Sequence, residues 1–252
     1  MKKIILYVAD IISIVWRLIP RIVRVNFLFF LLILESRGDK KKGLKQLFSI
    51  KDRLDLVLNE RALAYGNGIH PKHELTKYHD FFIDNIRNGE NVLDIGCGYG
   101  AVAKSVASKK NKSKIIGLDY DQIKLDQASK GNIYKNLEFK NYDATKNIPE
   151  GKWDIIILSN VLEHINKRTL FLKKIVSNSK CKKVLIRVPA FERSWEVPMR
   201  ERLSISYFSD NDHKIEHTLE EFLKEIKSAG LIPDKVHTIW GEIWSVCYIK
   251  KD

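Results

Sequence analysis

The chain has 252 residues, of which 44% are hydrophobic and 30% are charged, a composition typical of a globular protein with a substantial core. Its formal net charge of +13 suggests an anionic partner such as a membrane surface, a nucleic acid or a phosphorylated substrate, although a generally lysine-rich composition would give the same charge. The three cysteines are far apart, which excludes a disulfide framework and a cysteine-rich metal site and favours reduced thiols inside a cell.

Residues 1–45 form a hydrophobic leader. Its longest uncharged run, 25–34, is far shorter than the roughly 20 residues that a membrane-spanning helix needs. On a helical projection the few charged side chains share a sector of about 60°. One helix, or two helices broken near Pro20, would therefore carry a narrow charged stripe and a wide apolar face. The stripe consists of Asp10, Arg17, Arg21, Arg24 and Glu35.

A basic cluster follows the apolar stretch. It comprises Arg37, Lys40, Lys41, Lys42 and Lys45, and the glycines Gly38 and Gly43 within it indicate a linker. This arrangement predicts a helix in the membrane interface, with its basic residues near anionic headgroups. The alternative is a helical pair that packs on the domain or on a second subunit. We therefore expect a cytoplasmic protein held peripherally at the inner face of the membrane, in an oligomeric state that the sequence does not indicate.

The remainder of the chain predicts a helical cap over 46–90 and one α/β domain over 91–252. The cap would contain helices over 47–64 and 73–87. From residue 91, strand patterns alternate with helix patterns, which predicts a doubly wound, mostly parallel sheet with an antiparallel edge pair. The seven strands are expected at 92–95, 114–118, 137–140, 153–159, 183–188, 235–240 and 243–250, with helices at 101–109, 122–130, 167–178 and 219–229.

The stretch VLDIGCGYG, at 92–100, places a glycine loop directly after the first strand. It can be aligned with a dinucleotide motif as Gly96-x-Gly98-x-x-Ala101, but a lone match of this kind is weak. Asp94 would repel a pyrophosphate at the helix N-terminus, whereas it would attract an ammonium or a sulfonium group. S-adenosylmethionine (SAM) carries both groups, so the loop favours SAM.

Polar residues after the next strands agree with this assignment. Asp119 ends the second strand, where an acid can accept hydrogen bonds from both ribose hydroxyls. Asp143 follows the third strand and can reach the adenine amino group. Asn160 and Glu163 follow the fourth strand, where the methionine part of the cofactor and the acceptor would meet.

The runs VLDIGCGYG, IIGLDYD, NYDA and WDIIILSNVLEHI resemble the class I SAM-dependent methyltransferases, and in particular the small-molecule group with a Glu-His pair after the fourth strand. The resemblance covers about residues 60–252. It implies a Rossmann-like fold, SAM as cofactor and methyltransferase activity, and it says little about the acceptor. It assigns cofactor binding to Asp94, Gly96, Cys97, Gly98, Gly100, Asp119, Tyr120, Asp143, Ala144, Asn160 and Glu163. Cys97 is expected to be a small residue that fits the loop.

An alcohol acceptor needs a base, and histidine suits that role near neutral pH. His164 follows the fourth strand, where it either lies near the cofactor or packs on the next helix. His213 precedes the last helix, which Thr218 and Glu221 begin with a capping box. Similar family members have a His-x-x-x-x-Thr element there, so His213 is a candidate catalytic or substrate-binding residue, or else an ordinary loop histidine. His213 and His217 have metal-like spacing without an evident third ligand, so no metal is predicted.

Two further segments are candidates for the site. The stretch YGNGIHPKH, at 65–73, predicts a lid with Tyr65 beside the cofactor and His70 or His73 as a catalytic residue; the alternative is a solvated turn. An insertion at about 189–217 carries aromatic residues close to arginines, which suits a sugar or a phosphorylated group and equally suits ordinary packing. The residues concerned are Phe191, Trp195, Tyr207, Arg187, Arg193, Arg200 and Arg202.

The leading hypothesis is therefore an O-methyltransferase that modifies a hydroxyl of a glycan or a lipid-linked sugar at the cytoplasmic face of a membrane. Methylation of a quinone or another lipid-soluble ring would also suit the leader. The net charge prompts RNA methylation, but the Asn/Asp-Pro-Pro-aromatic motif used on base amino groups is missing from the sequence, so a nucleic-acid partner is the lesser expectation. A non-catalytic adaptor with a SAM fold is the remaining alternative, and Asp94, Asp119 and the glycines argue against it.

Overall fold

The structure is a computed structural model that describes residues 2–178 and 181–249. The chain forms two compact units, Met1–His70 and Pro71–Asp252. The first unit contains three helices, α1 (Lys2–Trp16), α2 (Arg21–Glu35) and α3 (Lys40–Tyr65). The leader is helical, as predicted, and its break falls at Pro20 because the fixed backbone of proline suits the residue before a helix. Among the described residues, none of the helices combines the length and apolarity that crossing a bilayer requires.

Helix α3 begins earlier than the predicted helix at 47–64. The side chain of Asp39 caps its N-terminus by accepting a hydrogen bond from the backbone N–H of Lys42, at 2.8 Å. The basic residues from Lys40 onward therefore form the first turns of a helix, where the sequence suggested a linker. Gly43 is buried within this helix, where a Cβ atom would collide with the carbonyl group of Ser36. Its smallness therefore serves packing within a helix.

The second unit begins with two short helices, α4 (Lys72–Thr76) and α5 (Tyr78–Asp84), in place of the single helix predicted over 73–87. Lys77, between them, has a left-handed backbone with φ of 52°, which interrupts the helical hydrogen-bonding pattern. Helix α5 then buries Tyr78 and Phe82.

The described residues form one seven-stranded sheet with the order β3-β2-β1-β4-β5-β7-β6. The first five strands pair in parallel, and β7 runs antiparallel between β5 and β6. This confirms the predicted fold class, a Rossmann-like, mostly parallel sheet with an antiparallel edge pair. The strands are β1 (Val92–Ile95), β2 (Ile115–Asp119), β3 (Leu137–Asn141), β4 (Ile155–Ser159), β5 (Lys183–Pro189), β6 (Leu231–Ile239) and β7 (Glu242–Ile249).

Both faces of the sheet are covered. Along β4, Ile155 and Ile157 enter one hydrophobic core, whereas Ile156 and Leu158 enter the other, as the period of two in a strand requires. The first core also receives residues of α5 and α6, and the second receives residues of α8 and α10. The remaining helices of this unit are α6 (Ala101–Lys109), α7 (Gln122–Lys130), α8 (Arg168–Asn178), α9 (Glu196–Arg202) and α10 (Leu219–Ser228).

Both strands of the antiparallel edge pair have bounds that differ from the predicted ones. Strand β6 starts at Leu231 and accommodates Pro233 beside an irregularity in the ladder, as an edge strand can. Trp240 and Gly241 both have left-handed backbones, with φ of 55° and 76°, as a tight two-residue hairpin turn requires. The predicted final residue of β7, Lys250, lies outside the described residues.

Candidate active site

A cavity of about 380 Å³ lies at the carboxyl ends of β1 to β4. The chain order reverses between β1 and β4, and ligands of doubly wound sheets bind at such a switch point. Many of the residues predicted from the sequence line this cavity. They are Gly96, Gly98, Asp119, Tyr120, Asp143, Ala144, Asn160 and His164.

The glycine loop after β1 needs its glycines for conformation and for space. Gly96 has φ of 70°, and a Cβ atom there would lie 2.7 Å from Cγ2 of Val161. Gly98 has φ of 53°, and no described atom lies within 4 Å of where its Cβ would be. Its backbone is therefore open to a ligand, while its N–H donates to Oδ2 of Asp119 at 2.8 Å.

Two carboxylates face the cavity from neighbouring strand ends. Asp119 also accepts a hydrogen bond from the backbone N–H of Asp121, at 2.9 Å, so backbone donors fix its position. Asp143 accepts hydrogen bonds from the hydroxyl and the backbone N–H of Thr145, at 2.6 and 3.1 Å. The Thr145 hydroxyl and nearby Lys146 hold the pKa of Asp143 below its ordinary value. Both carboxylates are thus positioned to accept hydrogen bonds from a ligand.

Asp94 is buried behind the glycine loop and does not line the cavity. Its Oδ2 has no hydrogen-bond partner among the described residues. Burial raises the pKa of Asp94 to about 8. An unpartnered, buried carboxylate oxygen is costly unless a cationic group approaches it, so this position fits a ligand that carries an ammonium or sulfonium group.

Cys97 and Gly100 belong to the loop and do not line the cavity. Cys97 packs toward Gly117 of β2, and burial strongly raises the pKa of its thiol, which suits its expected role as a small residue. Gly100 has φ of 75° and directly precedes α6, where a Cβ atom would collide with the ring of Phe139. Both residues shape the loop from behind.

The part of the cavity lined by His164 brings together residues that are far apart in the sequence. The ring of His164, which lines the cavity, makes an edge contact with that of His213, with ring centroids 4.7 Å apart. The backbone N–H of Lys214 donates to the carbonyl oxygen of Glu163 at 2.7 Å. Glu163 and His213 are buried beside His164 and do not line the cavity. Burial and the proximity of His164 lower the pKa of His213, which favours a neutral imidazole.

The predicted lid residues lie in different surroundings. His73 accepts or donates a hydrogen bond with the hydroxyl of Tyr78, at 2.7 Å, and does not line the cavity. Nε2 of His70 lies 3.1 Å from Oδ1 of Asn59. Tyr65 is the last residue of α3 and is exposed. Tyr65 and His70 belong to the first unit, so their lid function stays a prediction.

Two arginines that the sequence associated with substrate are engaged inside the fold. Arg187 pairs with Glu242 through its Nε, at 2.6 Å, and stacks 3.9 Å from the centroid of the Tyr78 ring. Arg193 pairs with buried Glu216 and donates to the carbonyl of Tyr207. These contacts favour the packing interpretation of the insertion for both arginines.

Sequence reasoning missed several residues that line the cavity. Asp212 and Lys214 flank His213, and Tyr142 precedes Asp143. The only sequence signal for them was their position next to predicted residues, since a loop sequence does not show which side chains point into a cavity. Lys124, Thr145 and Phe171 also line the cavity.

Comparison with known proteins identifies the family. Residues 86–229 match the methyltransferase domain family, which is more than half of the chain. A ribosomal protein L11 methyltransferase from Thermosipho africanus is 33% identical over 121 residues, which is 45% of this chain and 44% of that protein. The chain therefore spans less than half the length of this relative.

Solved structures agree with the fold. The small RNA methyltransferase HEN1 matches 70% of this chain and 25% of its own, with 17% identity and a TM-score of 0.57. The magnesium protoporphyrin IX methyltransferase from Synechocystis, solved with bound SAH, matches 71% of this chain and 83% of its own, with 14% identity and a TM-score of 0.56. Likenesses at this identity show the fold alone. The family match shows that the chain belongs to the methyltransferase domain family, and the solved structures agree with its fold.

Proposed function

We propose that this protein transfers the methyl group of SAM to a hydroxyl of a glycan or a lipid-linked sugar at the cytoplasmic face of a membrane. The observation that carries the proposal is the exposed apolar surface of α1 and α2. All 15 residues of α2 are at least partly exposed, and most of them are apolar. Contiguous apolar surface of this kind indicates an interaction site.

Anionic lipid is the occupant that suits this surface best. The basic cluster of Arg37, Lys40, Lys41, Lys42 and Lys45 directly follows the apolar helix α2. A helix that rests in the membrane interface buries its apolar face among the acyl chains and gains further free energy from basic residues near anionic headgroups. The proposed acceptor therefore has a membrane-bound portion.

At the cofactor end of the cavity, the residues that the sequence indicated account for each part of bound SAM. Asp94 supplies negative potential toward the ammonium group from behind the glycine loop, Asp119 accepts hydrogen bonds from the ribose hydroxyls, and Asp143 with Tyr120 contacts the adenine. The open backbone of Gly98 allows close approach of the ligand. SAM, when bound, supplies a methyl group on a positively charged sulfur. The chain itself contributes binding and orientation, which bring the two reactants together.

At the acceptor end, His164 and His213 supply the polar groups for an acceptor hydroxyl. His164 lines the cavity, and the buried ring of His213 supports it from behind. A neutral imidazole can accept the proton that a hydroxyl loses as it is methylated, and such general-base assistance contributes about 10²–10⁴ to a rate. Methyl transfer to oxygen is therefore the reaction that suits these residues.

The acceptor class is tested by a labelling experiment. The full chain is incubated with methyl-labelled SAM and separated membrane, cytosolic, protein and RNA fractions, with Asp119→Ala as the inactive control. We expect label in a membrane lipid or lipid-linked glycan and none with the control. Label in protein or RNA, the acceptors that the names of the L11 and HEN1 enzymes specify, would replace the proposed acceptor and leave the cofactor assignment intact.

Membrane binding is tested separately by flotation with vesicles. We expect the full chain to float with vesicles that contain phosphatidylserine and to float less with neutral vesicles. The double variant Phe29→Asp/Phe30→Asp places two charges on the exposed apolar face of α2, away from the charged stripe, and should remain in the soluble fraction. The matched control is Ile133→Asp, an exposed apolar position in the second unit. Equal flotation of both variants would overturn the membrane assignment.

A further inference from the structure

Three side chains with metal-ligating atoms converge at the acceptor end of the cavity. Glu163 and His164 come from the turn after β4, and His213 comes from the loop before α10. One potential ligand atom from each residue lies within 4.8 Å of those of the other two. The sequence showed the pair His213 and His217 without a third ligand. The fold instead places His217 3.4 Å from Glu225 and supplies His213 with two other neighbours.

The carboxylate of Glu163 provides independent support for a ligand. The residue is fully buried, and neither of its side-chain oxygens has a hydrogen-bond partner among the described residues. Burying a carboxylate without donors is strongly unfavourable. A cation between Glu163 and the two imidazoles would satisfy both oxygens with a single ligand.

The second nitrogen of each imidazole also lies near a carboxylate. Nδ1 of His213 lies 3.2 Å from a carboxylate oxygen of Glu216, which is itself held by Arg193. Nδ1 of His164 lies 3.1 Å from a carboxylate oxygen of Asp212. Histidines that bind metals usually donate their other ring N–H to a carboxylate or carbonyl, which fixes the tautomer and orients the ring. His213 is thus oriented to offer Nε2 as a ligand, whereas Nδ1 of His164 lies near Asp212 without making a hydrogen bond to a described residue.

We propose that Glu163, His164 and His213 bind a divalent transition-metal ion. Two imidazoles and one carboxylate suit Mn²⁺, Co²⁺ or Zn²⁺ better than Mg²⁺ or Ca²⁺, which prefer oxygen ligands. Three protein ligands leave at least one coordination position for water or another oxygen ligand. Because His164 and Asp212 line the cavity, the ion would lie at its acceptor end.

Such an ion would bind the oxygen of an acceptor hydroxyl and lower its pKa, so that the histidines act on the acceptor through the metal. This role rests on the proposed transfer to oxygen, whereas binding of the ion does not. The two can therefore fail separately.

The test uses Co²⁺ as the probe, because its visible absorption reports the ligands around it. Co²⁺ is titrated into the untagged, chelator-treated full chain and followed by absorption. We expect one equivalent to bind, and Glu163→Gln to weaken binding by more than the factor of about 10–100 that loss of an outer partner causes. Asp212→Asn changes an exposed partner of His164 and should weaken binding by that smaller factor. His237→Gln, at an exposed position on β6, is the matched control.

SAM affinity, measured by calorimetry on the same preparations, separates the possible failures. Weakened Co²⁺ binding with normal SAM affinity supports the metal site. If Glu163→Gln loses both ligands, circular dichroism distinguishes loss of the fold from a direct contact of Glu163 with SAM, and Asp212→Asn decides the outcome for the metal. Wild-type protein that binds no Co²⁺, or an Asp212→Asn variant that binds it as tightly as wild type, would overturn the proposal. Failure of wild type to bind SAM would instead count against the proposed function.

Discussion

The two ends of the cavity are built in different ways. The cofactor end comes from the consecutive strand ends of β1, β2 and β3, and backbone donors hold its carboxylates, as Gly98 and Asp121 do for Asp119. The acceptor end joins two segments about 50 residues apart through the ring contact between His164 and His213 and the backbone hydrogen bond from Lys214 to Glu163. Cofactor binding is thus encoded in short local motifs, whereas acceptor chemistry depends on how distant loops pack.

The carboxylates that line the cavity also differ from buried Glu163 in how they are held. Backbone and hydroxyl groups hold Asp119 and Asp143. Glu163 has no hydrogen-bond partner for its oxygens among the described residues. Substitutions at the cofactor end should therefore change SAM affinity, and substitutions at the acceptor end should change transfer while leaving that affinity intact.

The largest effect is expected at the acceptor end. His213→Gln removes an imidazole that supports proton removal through His164 or through a metal, so we expect the rate of label transfer at saturating SAM to fall by about 10²–10⁴. Initial rates with the labelled acceptor fraction provide the measurement, with His237→Gln as control. A normal rate for His213→Gln would remove this histidine from the mechanism.

The next effect is expected at the cofactor end. Asp119→Ala removes the proposed acceptor of two ribose hydrogen bonds and a partner of the Gly98 amide. Since a hydrogen bond to a charged group contributes about 1.5–3 kcal/mol, the Kd for SAM should rise by about 100-fold or more. Calorimetry is the measurement, and Asp126→Ala, at an exposed position on α7, is the matched control. Equal affinities for the two variants would place the ribose elsewhere.

Substitutions in the glycine loop distinguish the cost of a left-handed backbone from the cost of a steric collision. A side chain at either Gly96 or Gly98 incurs the left-handed backbone cost of about 1–2 kcal/mol. Gly96→Ala also collides with Val161, which should add about 1–3 kcal/mol. Urea unfolding should therefore show Gly96→Ala to be less stable than Gly98→Ala. The opposite order would mean that the space around the two glycines has been assigned wrongly.

The last effect concerns pH. The buried carboxyl of Asp94 keeps its proton up to about pH 8, whereas the unfolded chain releases it near the ordinary pKa of 3.8. The folded state binds more protons in this window, so the unfolding free energy of the ligand-free protein should fall as pH rises, by up to about 1.4 kcal/mol per pH unit. Asp94→Asn should lack this contribution. Urea unfolding at pH 6, 7 and 8 measures the difference; parallel profiles would mean that Asp94 does not titrate there.

The sequence predicted the sheet and the helices α6 and α7 because each depends on periodicity. The motif residues that line the cavity stand in contiguous runs, and their contacts with the cofactor stay a prediction. The sequence did not predict the start of α3, since a cap at Asp39 outweighed the helix-breaking tendency of Gly43. Nor did it predict that Glu163, His164 and His213 would converge. That cluster depends on the loop that carries Lys214 docking on the turn after β4, which is a tertiary contact without a local signal.

The claim that the two ends of the cavity have separate functions is tested most directly by calorimetry. SAM is titrated into His213→Gln and into Asp119→Ala under identical conditions. The account predicts wild-type affinity for His213→Gln and strongly weakened affinity for Asp119→Ala. If His213→Gln bound SAM as weakly as Asp119→Ala while remaining folded, the two ends would form one site, and the assignment of His213 to the acceptor would be contradicted.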